Sequence, residues 1–236
     1  MILQFHDLYI YNPEENILSI GDVHIGLEEA INKAGWLIPR YVYPEIKARV
    51  KKTLEKFKAK KPVILLLGDI KHEFGRISEQ EWRDAVDFID FLSQYGKLVM
   101  IKGNHDTIMG PIATKKNIEL VDEYVAGEYY YCHGDRIPET LTFQNAKTII
   151  IGHEHPAVSL RESAKVEKYK CFLVGKWKKK TLIVQPSIHT LTEGTDILAE
   201  KLLSPFLIDI RKFKVHIVGE DKVYEFGTVR ELQEME

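Results

Sequence analysis

The chain has nine histidines among its 236 residues, and five of them fall inside five short clusters of Asp, Asn and His. The clusters are Gly21-Asp22-Val23-His24, Gly68-Asp69, Gly103-Asn104-His105-Asp106, His133-Gly134 and Gly152-His153-Glu154-His155. A sixth histidine, His72, lies three residues beyond Asp69. Each cluster follows an apolar run and sits at or beside a glycine. Carboxylates, an amide and imidazoles, with no thiolate among them, make a mixed oxygen and nitrogen donor set. That mixture suits manganese, iron, zinc or nickel rather than a purely hard or purely soft ion. Two such ions, roughly 3.5–4 Å apart, clamp a phosphoryl group and activate water. Asp22 and His24 are two apart in extended chain, so they point the same way and can share one ion. A lone D-x-H or G-D carries no weight, whereas five clusters in order, each after a strand, are highly specific. Taken singly, each member reads as a turn former or a satisfied core histidine.

Strands must deliver these groups. Ile2 to Phe5 and Leu8 to Tyr11 read as a hairpin, and Asn16 to Ile20 as a buried strand leading into Asp22. Val63 to Leu67 leads into Asp69, and Leu98 to Ile101 into Asn104 and His105. Between them, Ile46, Val50, Leu54 and Phe57 recur at helical spacing over Pro44 to Lys58. Ser78 and Glu81 form a capping box for a second helix with a stripe of Trp82, Ala85, Ile89 and Leu92. The alternation argues for an α/β layer. Beyond it the chain turns mostly β: Glu128 to Cys132, Thr148 to Ile151, Ala157 to Leu160, Tyr169 to Val174, Thr181 to Val184, Val215 to Val218 and Val223 to Phe226. Two packed mixed sheets flanked by helices fit this better than one doubly wound sheet. Sites form at strand carboxyl ends because successive loops converge there.

Composition bounds the rest. The length suits one domain spanning residues 1–236. A net charge of −2 excludes binding to polyanions by bulk electrostatics, so nucleic-acid contact would need a local basic patch. Two cysteines, Cys132 and Cys171, make no disulfide framework and fit a reducing cytoplasm. Met1-Ile2-Leu3-Gln4-Phe5-His6 lacks the features of a signal peptide. No run approaches the roughly 20 apolar residues that cross a bilayer. The expectation is a cytoplasmic protein without membrane association, as a monomer or a homodimer.

From Ile17 to Pro156 the motifs resemble the calcineurin-like metallophosphoesterases. Further on, Gly194-Thr195-Asp196 and Leu202-Leu203-Ser204-Pro205-Phe206 resemble the ICC-like subgroup, which includes a bacterial ligase-associated repair endonuclease. The resemblance implies a four-layer αββα sandwich. It implies Asp22, His24 and His155 on one divalent ion, Asn104, His133 and His153 on the other, and Asp69 bridging; manganese is the first choice of metal. It implies that His105 is a proton donor or transition-state stabiliser. Protein phosphatases carry G-D-x-x-D, whereas Gly68-Asp69-Ile70-Lys71-His72 resembles the repair-nuclease and phosphodiesterase branches, which implies that His72 contacts phosphate.

Other residues admit two readings each. Arg40 is a loop residue or a phosphate contact. Lys176-Trp177-Lys178-Lys179-Lys180 is a solvated hairpin tip, or a basic turn that tracks a nucleic-acid backbone while its aromatic stacks a base. Asp106 reads as a turn or cap residue. Cys132 should point away from the ligand it precedes. Glu73 reads as an exposed loop residue, and His6, His189 and His216 as structural. The Lys-rich stretch from Lys47 to Lys61 reads as a helix's solvent face.

The leading function is a two-metal phosphodiesterase or nuclease in which hydroxide attacks phosphorus in line. The runner-up is a phosphomonoesterase or cyclic-nucleotide phosphodiesterase, kept open because no capping domain to grip duplex DNA is evident. A non-catalytic scaffold is the third reading, and the intact ligand set speaks against it.

Overall fold

Alternate residues of each central strand enter different apolar layers, and this alternation sets the architecture. In the computed structural model, which describes residues 3–38, 40–75, 77–162 and 165–235, the first sheet holds β1 (Gln4–His6), β2 (Tyr9–Asn12), β3 (Ile17–Ile20), β4 (Val63–Leu66), β5 (Leu98–Ile101) and β6 (Glu119–Val121) in that spatial order. The first three run antiparallel, and β3 to β6 pair in parallel. The second sheet holds β7 (Glu123–Ala126), β8 (Tyr129–Cys132), β9 (Thr148–Ile151), β10 (Pro156–Glu162), β11 (Lys165–Trp177), β12 (Lys180–Val184), β13 (Thr195–Asp196), β14 (Lys214–Val218) and β15 (Val223–Thr228). Its order is β13-β10-β11-β12-β9-β8-β7, with β14 joining β11 to β15.

Between the sheets lie Leu65, Leu67, Val99, Ile101, Tyr131, Ile150, Phe172 and Ile183. The intervening residues Ile64, Leu66, Leu98 and Met100 face outward. They pack with Val50 and Leu54 of α2 (Val42–Phe57), Phe88 and Leu92 of α3 (Glu79–Ser93) and Ile112 of α4 (Met109–Lys116). On the far side, Tyr130, Ile149, Ile151, Leu182 and Val184 pack with Phe143 of α5 (Leu141–Asn145), Leu232 of α6 (Val229–Met235) and Phe206. The layers therefore run helix, sheet, sheet, helix. Burying each large aliphatic side chain is worth roughly 1.5–3 kcal/mol. A one-residue slip of any central strand would exchange two layers at once, so register is tightly set.

A buried polar bridge crosses the inter-sheet layer near the strand ends. Ser19 Oγ donates to Gln185 Oε1 at 2.7 Å, and Gln185 Nε2 donates to the carbonyls of Leu8 and Ser19 at 2.8 and 3.0 Å. Every polar atom of this buried amide has a partner, which fixes how β12 lies over β3 close to their carboxyl ends.

The hairpin, the two long helices and most of the strands fall where the apolar patterns place them; Ile2 lies outside the described residues. The short helices α1 (Leu27–Lys33), α4, α5 and α6 were not anticipated. At five to eight residues they complete too few turns to register as periodicity, and α4 carries Gly110 and Pro111. β11 is longer than expected because its first half alternates charged residues, Lys165 and Glu167, on an exposed surface.

Candidate metal centre

All five clusters lie at one edge of the stacked sheets. β3, β4 and β5 are parallel neighbours ending at Asp22, Asp69 and Asn104, and β8 and β9 are parallel neighbours ending at His133 and His153. The glycines allow the two edges to interlock. At Gly68, with φ of 105°, a Cβ would lie 2.5 Å from His133 Nδ1. At Gly152 it would lie 2.4 Å from Asp22 Oδ2. Asp22, from the first sheet, also accepts the His153 amide of the second at 3.1 Å.

Two groups of donors result. His155 Nε2 lies 3.3 Å from Asp22 Oδ1 and 3.3 Å from His24 Nε2. His133 Nε2 lies 2.9 Å from Asn104 Oδ1, 3.1 Å from His153 Nδ1 and 3.4 Å from Asp69 Oδ2. The same Asp69 oxygen is 3.9 Å from His24 Nε2, so it stands between the groups. His133 Nδ1 donates to the Leu67 carbonyl at 2.9 Å, which fixes its tautomer and leaves Nε2 for the cluster. Asp22, His24 and His155, and separately Asp69, His133 and His153, each offer atoms within 4.8 Å of one another, close enough to hold an ion.

Electrostatics favour a cation here. Asp22, His24, Asp69 and His133 are all buried. Burial raises the Asp22 carboxyl, but His155, then His133 and His24, outweigh it and hold it well below the carboxylate range. Burial, reinforced by His155, pushes His24 down to about 3. A neutral imidazole is the form a metal ligand needs. Burial opposes charge on His133, yet its bond to Asp69 and the charge of Asp22 raise it to about 9. A divalent ion at that position would replace the proton. Buried lone pairs this close, with His24 Nδ1 and His72 Nδ1 lacking partners among the described residues, fit bound cations better than an apolar core.

Backbone strain concentrates at the same residues. His24, Asp69, His153 and His155 all have positive φ, between 45° and 61°. Left-handed backbone is uncommon outside glycine, and strain of this sort collects at functional sites. The sequence carries no sign of it.

Around this centre the turns are stapled together. His105 donates its amide to Asp69 Oδ1 at 2.9 Å, and its Nδ1 donates to the His72 carbonyl. Its Nε2 lies 3.7 Å from Asp69 Oδ2. The His72 and His105 rings stack with centroids 5.7 Å apart, and Phe74 covers His105 at 3.7 Å. Asp106 is a turn residue, as read: Oδ2 accepts from Gly103 N at 3.0 Å and Oδ1 from Ile70 N at 3.0 Å, tying the Asn104 turn to the Asp69 turn. Glu81 has a second task beyond its capping box. Its Oε1 accepts the amides of His72 and Glu73, each at 3.0 Å, so the start of α3 anchors the His72 loop.

Behind Asp22 lies a support that sequence reasoning missed. Lys170 Nζ donates to the Ser187 and His189 carbonyls at 2.8 and 2.5 Å. Ser187 Oγ and the Ile188 amide donate in turn to the Asp22 carbonyl at 2.9 and 3.0 Å. Glu154, fully buried between two histidines of the cluster, accepts the Leu203 and Ser204 amides at 2.7 and 2.8 Å. No local motif marks Lys170; only the fold brings it there. His189 is buried, and its Nδ1 accepts the Leu191 amide at 3.2 Å.

The remaining candidates are placed elsewhere. Trp177 is buried between Phe143 and Phe206, with centroids 5.5 and 5.1 Å away, so it offers no face to a base. Lys176 Nζ donates to Thr181 Oγ1. β12 runs parallel to β9, with Thr181 opposite Thr148 and Val184 opposite Ile151. The basic turn thus lies at the opposite end of the sheet from the ligand loops, on the order of 13 Å along the strand. The expected role of Lys176 and Trp177 is corrected: the aromatic is a core residue and its turn is remote. Arg40 is exposed and its charge acts on Glu28, Glu29 and Asp84. Cys132 is buried in the layer facing away from the cluster, as expected.

The family model for calcineurin-like phosphoesterases matches residues 15–219. No curated protein matches the sequence. Among solved structures the chain is similar to the nuclease MPE of Pseudomonas putida, with a TM-score of 0.62 and 21% identity over 93% of this chain and 92% of that one. It is also similar to Vacuolar Protein Sorting 29 of Cryptosporidium parvum, with a TM-score of 0.41 and 14% identity over 90% of this chain and 97% of that one. The first likeness shows a shared fold.

Proposed function

Because the chain belongs to the calcineurin-like phosphoesterases and is a metal-dependent phosphoester hydrolase, we propose that it is a phosphodiesterase of the ICC-like subgroup that cleaves nucleic acid or nucleotides. The observation supporting a two-ion centre is the position of Asp69, whose Oδ2 stands 3.4 Å from His133 and 3.9 Å from His24. Asp22, His24 and His155 would hold one ion, Asn104, His133 and His153 the other, and Asp69 both. When bound, the ions, manganese first and iron, nickel or zinc as alternatives, supply Lewis acidity and acidify water.

The chain's own side chains would do the rest. His105, oriented by the bond from Nδ1 to the His72 carbonyl, gives the proton on Nε2 to the leaving oxygen. His72, whose buried Nδ1 has no partner among the described residues, donates to a phosphate oxygen without adding negative charge. Residues 1–236 act as one catalytic unit. Two buried free thiols support a cytoplasmic setting. Among the described residues no helix is long and apolar enough to cross a membrane.

The test is hydrolysis by purified protein supplied with Mn, Ni, Mg or Zn. Substrates are single-stranded DNA, duplex DNA, RNA, cyclic nucleotides, and a chromogenic monoester and diester. Chelator-sensitive cleavage of a polynucleotide or dinucleotide is expected. Monoester turnover with no polynucleotide cut under any metal would favour a phosphomonoesterase instead.

A further inference from the structure

Phe74 is out of place for a hydrophobic residue. It is 61% exposed, yet its ring lies 3.7 Å from that of His105, tilted by 34°. Its loop is built rather than loose at the near end. Glu81 holds the amides of His72 and Glu73, and Ser78 Oγ donates to Glu29 Oε2 on α1. Beside Phe74, Gly75 has φ of 69° and nothing within 4 Å of where a Cβ would stand. The fold thus presents a bare aromatic at the lip of the metal centre, against the residue that would protonate the leaving group.

We infer that Phe74 is a stacking platform for the nucleobase of the leaving nucleoside, an inference that rests on the nucleotide-diester reading above. The direction follows from His105. Its Nδ1 is bound to the His72 carbonyl and its Nε2 lies toward Asp69, so the leaving oxygen must approach on that side. The sugar and base attached to that oxygen then extend past the His105 ring, where Phe74 stands. An exposed aromatic face accepts any base, because every base offers a π-face, which gives base dependence without sequence preference. Covering the Phe74 ring also excludes water from the proton-transfer pair.

The experiment uses the metal-loaded protein and pairs of dinucleotides that differ only in whether the leaving-side base is present or abasic. Phe74→Ala should raise KM for the base-bearing substrate by roughly 5- to 150-fold, the range for one stacked base. It should leave the abasic partner nearly unchanged, and Phe74→Trp should restore the base preference. A binding readout runs beside it. A phosphorothioate dinucleotide with 2-aminopurine on the leaving side should lose fluorescence on wild-type protein and keep it on Phe74→Ala. Equal losses on both substrates, in kcat rather than KM, would show that Phe74 only holds His105 in place, and would overturn the inference. Wild-type protein that cleaves no dinucleotide at all, with or without bases, would instead remove the nucleotide reading on which it rests.

Discussion

Asp69 and His105 are joined directly: the His105 amide donates to Asp69 Oδ1 at 2.9 Å while Asp69 Oδ2 faces both donor groups. One carboxylate therefore positions the proposed acid and would span the two proposed ion positions. Asp69→Asn retains an amide oxygen for the His105 bond but loses the charge that offsets repulsion between cations. The expected result is loss of both ions together and no measurable turnover, whereas His155→Ala keeps one ion. Metal content by elemental analysis, beside activity, checks this. Comparable residual metal and activity in the two variants would argue against a bridge.

His105→Ala should keep both metals, because the donor groups Asp22, His24 and His155, and Asp69, His133 and His153, are complete without its ring, although its Nε2 lies 3.7 Å from Asp69 Oδ2. Turnover of diesters should fall by roughly 10²–10⁴-fold, the scale of general-acid catalysis. The loss should shrink for a nitrophenyl leaving group, which departs without a proton. Depletion of metal in this variant would make His105 a ligand.

Much of this site is legible in the sequence. The continuous apolar runs Val63 to Leu67 and Leu98 to Ile101 gave strands, and strand ends gave Asp69 and Asn104. Ser78 and Glu81 marked a helix start because a capping box is a local code. What stayed hidden depends on distant partners. The bonds of Lys170 to the Ser187 and His189 carbonyls join residues 17 and 19 apart, and nothing near Lys170 announces them. Positive φ at four ligand-type residues is likewise imposed by the closing of two sheet edges. The basic turn misled because charge and an aromatic in sequence say nothing about which end of a sheet they occupy.

That correction carries its own prediction. Changing Lys176, Lys178, Lys179 and Lys180 to Gln should leave both the affinity for single-stranded DNA and its salt dependence unchanged. Each phosphate contact removed would otherwise reduce the slope by about one. Trp177→Ala should cost roughly 3–5 kcal/mol of stability as a buried aromatic truncation. A flatter salt slope in the Gln variant would return the turn to the substrate path.

Lys170 gives the fold a pH dependence. Burial, with the nearby Arg49, lowers its ammonium from 10.5 to about 7. The folded state then binds fewer protons than the unfolded chain between those values, so stability rises with pH across that window and is level below it. Lys170→Met lacks this slope and also leaves two carbonyls without their donor, at roughly 1–3 kcal/mol. Its deficit against wild type should therefore widen from pH 7 to pH 9.5 in thermal unfolding. A constant deficit would mean that Lys170 stays charged on folding.

His72 stands where a protein phosphatase would carry a second acid, and that exchange bears on substrate charge. A diester presents one negative charge and a monoester up to two, so neutral or donating groups around the phosphate favour the diester less demandingly. His72 is half-buried, and burial with the neighbouring His105 lowers its basicity, so the ring is mainly neutral near pH 7 and donates a hydrogen bond rather than a full charge. Its main chain carries a separate duty, since the carbonyl orients His105. His72→Ala keeps that carbonyl and removes only the imidazole. The variant should bind both metals normally and retain the His105 contact, yet hydrolyse diesters poorly, with the loss in kcat/KM. Diester activity of the wild type should exceed its monoester activity, and the gap should narrow in the variant. The measurement is kcat/KM on matched nitrophenyl monoester and diester substrates for both proteins. An unchanged ratio, or a variant that loses metal, would detach His72 from phosphate recognition.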